Sequence, residues 1–189
     1  MRFGFLFLVP LLLAGCHTTP VMLDTARPFR DALTTRTNIL GVVKGSDAER
    51  AAVQRVKDFF AVMTEDSVRQ QTRLVYAPEA YLNDTLKSLS GAALIEDYFL
   101  ATVRNAESVT VRFEDVAESG GNYYFRWVMD TRLKQLRPGQ TIRTIGVTLV
   151  RFDAQGRVVL HQDFWDSTAG LFEHVPVVGT AIRGIKAKF

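Results

Sequence analysis

Residues 153–166 read Asp-Ala-Gln-Gly-Arg-Val-Val-Leu-His-Gln-Asp-Phe-Trp-Asp, a turn followed by a strand-like alternation. Strand side chains point alternately to the two faces of a sheet, so only one set of alternate residues can face the core. One choice puts His161, Asp163 and Trp165 in the interior, which places an imidazole, a carboxylate and an indole in a pocket. The other choice turns the alternate residues of 160–164 inward and gives an ordinary strand with a polar outer face.

The turn at Asp153 decides between these two arrangements. Aspartate at the first position and Gly156 at the fourth are typical of a type I turn followed by a left-handed glycine, the three-residue hairpin loop. That loop pairs Asp153 with Arg157, and the partners that follow are Leu149 with His161, Val147 with Asp163 and Ile145 with Trp165. Opposed residues share a face, and the preceding strand has its apolar alternation on those partners. We therefore expect the polar set to point inward. A two-residue turn would reverse the answer, but Ala-Gln fits poorly where two positive φ angles are needed.

Upstream of this hairpin the hydrophobic period is first helical and then strand-like. A capping box at Ser46 and Glu49 predicts the start of the first domain helix, a second helix is predicted over 67–76, and Ser90 is expected to cap a third. After Asn105 the period changes from 3.6 to 2, with turn signals between the alternating runs. Helices followed by a meander of four antiparallel strands predict an α+β fold.

The N-terminus carries a bacterial lipoprotein signal. Met1-Arg2 precedes an apolar run over residues 3–13 that is too short to span a bilayer, and Leu13-Ala14-Gly15-Cys16 matches the lipobox. Cys16 is the only cysteine of the chain, so no internal disulfide can form. We expect an acylated (palmitate-bearing) Cys16 that anchors the protein in the bacterial cell envelope, and His17 in place of aspartate favours the outer membrane, facing the periplasm. The predicted organisation is a signal peptide (1–15), the lipidated cysteine with a tether (16–45) and one globular domain (46–189).

The whole pattern over residues 46–189 resembles the nuclear transport factor 2-like fold, and more narrowly its SnoaL-like polyketide cyclase branch. The segments that carry the resemblance are Tyr123-Tyr124-Phe125-Arg126-Trp127, Asp153 to Val158, His161 to Asp166 and the tail Leu171 to Gly179. It implies a cone in which N-terminal helices pack in the concave face of a curved antiparallel sheet. The superfamily includes steroid isomerases, epoxide hydrolases, polyketide cyclases, dehydratases and binding proteins, so this fold does not by itself define a function.

The resemblance also implies where chemistry would take place. In enzymes of this group, a carboxylate or a His–Asp pair inside the cone transfers protons on an apolar substrate, and the matching positions here are His161 and Asp163. No residue matches the second catalytic carboxylate securely; Asp84 and Asp97 are the nearest by sequence region. The alternative is structural, with each polar side chain bonded to a backbone group or to an arginine at the mouth of the cone.

Four further residues are candidates for ligand contact: Tyr98, Trp127, Trp165 and Asp84. The net charge of +3 is small and scattered, which argues against a nucleic-acid groove. The sequence has no metal-ligand spacing, glycine-rich phosphate loop or nucleophile elbow, so neither a metal nor a cofactor is implied.

Two functions of different classes follow. The preferred interpretation is a membrane-anchored periplasmic lipoprotein whose domain binds a small apolar ligand or serves as an accessory module, with a homodimer through the outer face of the sheet as a further expectation. The alternative is a cofactor-free isomerase, cyclase or hydrolase that uses Asp163 and His161 for proton transfer.

Overall fold

The computed structural model describes residues 23–189. The helices are α1 (Arg27–Arg36), α2 (Asp47–Ala61), α3 (Glu65–Val75), α4 (Ala92–Asn105), α5 (Ser167–Gly170) and α6 (Val178–Lys186), with a 3₁₀ turn at Phe172–His174. The strands are β1 (Tyr76–Asn83), β2 (Ser88–Ser90), β3 (Ala106–Ser119), β4 (Asn122–Leu133), β5 (Ile142–Phe152) and β6 (Val158–Trp165). Among these residues no helix combines the length and the apolar character that a bilayer span requires.

The six strands form one curved sheet in the order β2-β1-β6-β5-β4-β3. Strands β3 to β6 are the predicted antiparallel meander. Strand β1 extends it by pairing in parallel with β6, and the short β2 pairs with β1. Side chains of α2, α3 and α4 form one buried cluster with the inner face of the sheet. The predicted α+β architecture, with helices in the concave face, is confirmed.

The start of α2 follows local capping, with two departures from the prediction, at Glu49 and at Ser90. The Ser46 hydroxyl accepts a hydrogen bond from the Glu49 amide at 3.1 Å, as expected, but the Glu49 carboxylate accepts from the Gly45 amide rather than from Ser46. Ser90 does not cap the next helix. It belongs to β2, and α4 follows Gly91, whose φ of +100° turns the chain away from the strand.

The hairpin loop between β5 and β6 has the predicted geometry. The Asp153 amide donates to the Arg157 carbonyl at 2.8 Å, the Gly156 amide donates to the Asp153 carbonyl at 3.0 Å, and Gly156 has φ +72°. The Asp153 carboxylate also accepts from the Gln155 and Arg157 amides, at 2.9 and 2.8 Å. Because the aspartate satisfies these amides, the turn is fixed by its own sequence.

The strand pairing beyond this loop departs from the prediction by one residue. Phe152 lies opposite Val158, but Arg151 lies opposite Leu160, so Val159 is the extra residue of a β-bulge in β6. A bulge changes which residues of the partner strand lie opposite those that follow it. The observed partners are Val150 with His161, Thr148 with Asp163 and Gly146 with Trp165.

The predicted partners of the polar set were therefore wrong, although the inward direction of that set was right. Leu149, Val147 and Ile145 are on the other face of β5, where Ile145 is 71% exposed. Two differences of one residue cancel: the apolar alternation of β5 lies on the outer face, and the bulge shifts the register of β6 by one residue.

Helix α1 lies in the segment interpreted as a tether and packs on the outer face of the sheet. Its residue Ala32 forms a small buried cluster with β1, β5 and β6 that includes the fully buried Leu160. The Arg36 guanidinium donates to the carbonyl of the bulged Val159 at 2.8 Å and to the Glu79 carbonyl at 2.9 Å. Helix α1 thus covers part of the outer face on which a dimer was expected, and it satisfies the carbonyl at the bulge.

Candidate ligand-binding site

A cavity of about 200 Å³ lies between the helices and the inner face of the sheet. Its wall is mainly apolar, with contributions from α2, α4, the turn after β1, strands β3 to β6 and the segment that follows α5. Six residues that the sequence indicated are all in this wall: Asp84, Tyr98, Trp127, His161, Asp163 and Trp165. Asp97, the other carboxylate considered, is exposed on α4 and does not line the cavity. Cys16 lies outside the described residues.

His161 and Asp163 belong to a continuous chain of hydrogen bonds on the inner face of the sheet. The His161 Nε2 atom lies 2.9 Å from Asp163 Oδ1, and the Tyr76 hydroxyl lies 2.9 Å from His161 Nδ1. On the other side, the Thr148 hydroxyl donates to Asp163 Oδ1 at 2.5 Å and accepts from the Trp127 indole N–H at 2.8 Å. These side chains come from β1, β4, β5 and β6, so the sheet itself sets their positions.

The direction of donation in this chain follows from Tyr76. This side chain is 1% exposed, and burial, followed by the charges of Asp163 and Asp84, raises the pKa of its hydroxyl well above the usual value. The hydroxyl therefore keeps its proton, and within the described residues the nitrogen His161 Nδ1 is the acceptor that it reaches. With Nδ1 as the acceptor, His161 Nε2 is the donor to Asp163 Oδ1.

Asp163 is consequently the final acceptor in this chain of hydrogen bonds. Its Oδ1 atom accepts from Thr148 and His161, whereas Oδ2 accepts no hydrogen bond from residues 23–189. Its side chain is 16% exposed and lines the cavity. Among the described residues, neither an arginine nor a backbone amide bonds to this carboxylate, in contrast to the structural alternative considered from the sequence. The arrangement fixes Asp163 by one oxygen and leaves the other without a partner among the described residues.

Asp84 forms a second polar point of the wall. Its carboxylate accepts from the Tyr98 hydroxyl and from the backbone amides of residues 86–87, and its carbonyl accepts from the Trp165 indole N–H at 2.7 Å. Burial, the charge and hydrogen bond of Asp84, and the charge of Asp163 raise the pKa of Tyr98. Tyr98 therefore stays protonated as a donor. Within residues 23–189 no group of three or more His, Cys, Asp and Glu side chains is placed to hold a metal ion.

Sequence reasoning missed two members of the hydrogen-bond chain, Tyr76 and Thr148. The pattern assigned Tyr76 to the end of a helix, whereas it is the first residue of β1. A regular register puts Val147 opposite Asp163 and therefore predicts Thr148 on the outer face. The signal that could have found Thr148 is its place in the alternation Gly146, Thr148, Val150, which becomes the inner face once the bulge is known.

Comparisons with known proteins agree on the fold. The model of the family "SnoaL-like domain" matches residues 56–161, a stretch that contains Asp84, Tyr98 and His161 and ends two residues before Asp163. No curated protein matches the sequence significantly.

Three solved structures illustrate the similarity. An LEH-like epoxide hydrolase from M. tuberculosis is 11% identical, with a TM-score of 0.53 over 74% of this chain and 91% of its own. A candidate SnoaL-like polyketide cyclase from Jannaschia sp. CCS1 is 19% identical, with a TM-score of 0.54 over 67% of this chain and 93% of its own. A candidate polyketide cyclase from Acidithiobacillus ferrooxidans is 15% identical, with a TM-score of 0.55 over 70% of this chain and 97% of its own. At these identities the likeness shows a shared fold.

Proposed function

The chain belongs to the family of SnoaL-like domains, and from that premise we propose that its cavity binds a small apolar molecule. The observation that carries the proposal is a mainly apolar wall in which one carboxylate oxygen, Asp163 Oδ2, is left without a protein partner among the described residues. A concave apolar wall with a few directed polar groups is the usual form of a small-molecule site. The apolar surface supplies affinity, and the polar points orient the ligand.

Proton transfer by Asp163 is the second candidate, and the direction of the hydrogen bonds favours it. Thr148 and His161 both donate to Oδ1, which fixes the carboxylate while Oδ2 accepts no hydrogen bond from the described residues. A positioned carboxylate in an apolar site can take a proton from a bound substrate and return it, the reaction class of a cofactor-free isomerase, cyclase or hydrolase. The epoxide hydrolase and the candidate cyclases among the similar structures have the same fold.

The binding proposal predicts that filling the cavity removes a bound molecule. Val111 lines the cavity on β3, whereas Val128 on β4 follows Trp127 and points to the opposite face of the sheet. We expect Val111→Trp to abolish the recovery of a small apolar molecule, extracted from the purified full-length chain and detected by mass spectrometry. Val128→Trp, the matched control, should retain it. Equal recovery from both variants, or none from the unmodified chain, would contradict ligand binding in this cavity.

We also propose that the protein is a lipoprotein of the cell envelope, anchored through Cys16 and facing the periplasm from the outer membrane. The support is the lipobox Leu13-Ala14-Gly15-Cys16 at the end of a short apolar run. Two or three acyl chains are sufficient for stable anchoring, in contrast to one.

The anchoring proposal predicts a change of location. We expect Cys16→Ser to remove the protein from the detergent-extracted membrane fraction or to leave it unprocessed, because serine offers no thiol for acylation. Fractionation and intact-mass measurement of both forms check this. A serine variant that is processed and membrane-bound like the unmodified chain would show that the assignment is wrong.

A further inference from the structure

The charged groups in the cavity wall are of one sign. The described residues that line it include two carboxylates, Asp84 and Asp163, and no lysine or arginine. His161 bonds to Asp163 Oδ1 from Nε2, and Oδ2 accepts no hydrogen bond from the described residues. Lys87 is a cation close to the wall, because its Nζ atom lies 5.5 Å from the centre of the Tyr98 ring. Lys87 is exposed on the turn after β1, outside the wall, where water screens its charge.

The fields of the two carboxylates overlap inside the cavity. Burial is the largest cause of the raised pKa of both Tyr76 and Tyr98, and the charges of Asp84 and Asp163 raise it further in each case. The two hydroxyls are on different elements, β1 and α4. Because Asp84 and Asp163 both line the cavity, a ligand there is exposed to both negative charges within a mainly apolar wall, where charges are screened less than in water.

The remaining wall favours a cation as well. Seven of the lining residues carry a phenyl, phenol or indole ring, among them Tyr98, Trp127 and Trp165. The faces of such rings are electron-rich and attract organic cations, most strongly where water is excluded. An apolar anion would meet two like charges and no compensating donor from a basic side chain in this wall.

We propose that the ligand of this cavity is a small apolar cation, an organic ammonium group with a hydrocarbon body. The inference rests on the proposed binding function and specifies its ligand class. The ammonium group lies near Asp163 Oδ2 and Asp84, and the hydrocarbon body contacts the apolar wall. A substituted ammonium loses less hydration than a bare one, and the two carboxylates compensate for that loss.

The test uses two probes of the same shape that differ in charge. Benzyltrimethylammonium carries a permanent positive charge, and neopentylbenzene has carbon in place of the nitrogen. Binding to the full-length chain is measured by calorimetry and by the fluorescence of the two tryptophans, both of which line the cavity. We expect the cation to bind about tenfold more tightly or better, the size of effect that desolvated cation–π contacts produce.

Three variants locate the charge effect. Asp163→Asn and Asp84→Asn are each expected to weaken binding of the cation about tenfold and to leave the neutral probe unchanged, as expected for loss of a nearby opposite charge. Asp97→Asn makes the same change on the exposed side of α4 and should alter neither affinity. Thermal melts establish whether each variant is folded. Because two wall positions are substituted independently, the test still applies if one of these variants does not fold.

The outcomes separate this inference from the binding proposal. If neopentylbenzene binds as tightly as the cation, the cation preference is wrong and an apolar site stands. The same conclusion follows if Asp97→Asn weakens binding of the cation as much as the wall variants do. The effect would then come from the net charge of the protein and not from the carboxylates of the wall. If neither probe binds, both the inference and the proposed binding function are overturned.

Discussion

Replacement of Asp163 by leucine is expected to lower the free energy of unfolding by about 3 kcal/mol or more, because two buried donors lose their acceptor at about 1–3 kcal/mol each. The Thr148 hydroxyl and the His161 Nε2–H both donate to Asp163 Oδ1. Leucine has a similar branched shape and offers no acceptor to either donor. The measurement is urea unfolding followed by circular dichroism.

Two comparisons make the Asp163 result specific. Asp163→Asn retains an acceptor oxygen, so we expect a loss of about 1 kcal/mol. Asp97→Leu removes an exposed carboxylate of α4 and should change stability by no more than about 0.5 kcal/mol. If Asp163→Leu is no more destabilising than Asp163→Asn, the carboxylate does not hold the hydrogen-bond chain together.

The second large effect is expected at Gly146, which lies opposite Trp165 in the sheet. A Cβ atom there would lie 2.4 Å from the Trp127 ring and 2.9 Å from the Phe164 carbonyl oxygen. The ring is held by its hydrogen bond to Thr148 and the carbonyl belongs to the sheet, so neither can withdraw freely. We expect Gly146→Ala to cost about 3 kcal/mol through overpacking, measured by the same unfolding method.

Gly184 in α6 provides the matched control for this substitution. A Cβ atom at Gly184 meets nothing within 4 Å, and alanine is the better helix former. Gly184→Ala should therefore leave stability unchanged or raise it by up to about 1 kcal/mol. Equal stabilities of the two alanine variants would mean that the space beside the Trp127 ring can take a Cβ atom without loss of stability.

The helices α2 to α4 and the meander β3 to β6 could be predicted because their signals are local in the sequence. The period of the apolar residues changes after Asn105, and the Asp153 turn supplies its own hydrogen bonds. Each of these signals depends on residues close together in the chain, so no knowledge of the tertiary structure is needed. The wall residues Tyr98, Trp127 and Trp165 were identified for the same reason, since they fall on inward positions of periodic segments.

The bulge at Val159 could not be predicted in this way. It lies in the run Val158-Val159-Leu160, which has no glycine, proline or turn residue to mark it. Its determinants come from elsewhere in the chain. Arg36 donates a hydrogen bond to the Val159 carbonyl, and α1 buries Leu160 on the outer face. Thr148 was missed because its place in the site depends on this bulge, whereas Tyr76 was missed because a helix and a strand meet there without a break.

The contact between α1 and the sheet also has a mechanical consequence. Arg36 connects α1 to the carbonyls of Val159 and Glu79, and Phe29 packs edge-on against Phe164 at 5.8 Å between ring centres. Strand β6, on which two of these contacts fall, also carries His161 and Asp163 on its other face. If the chain is anchored at Cys16, as proposed above, a pulling force on the N-terminal segment would pass through α1 to the strand behind the cavity and would act on the shape of the site.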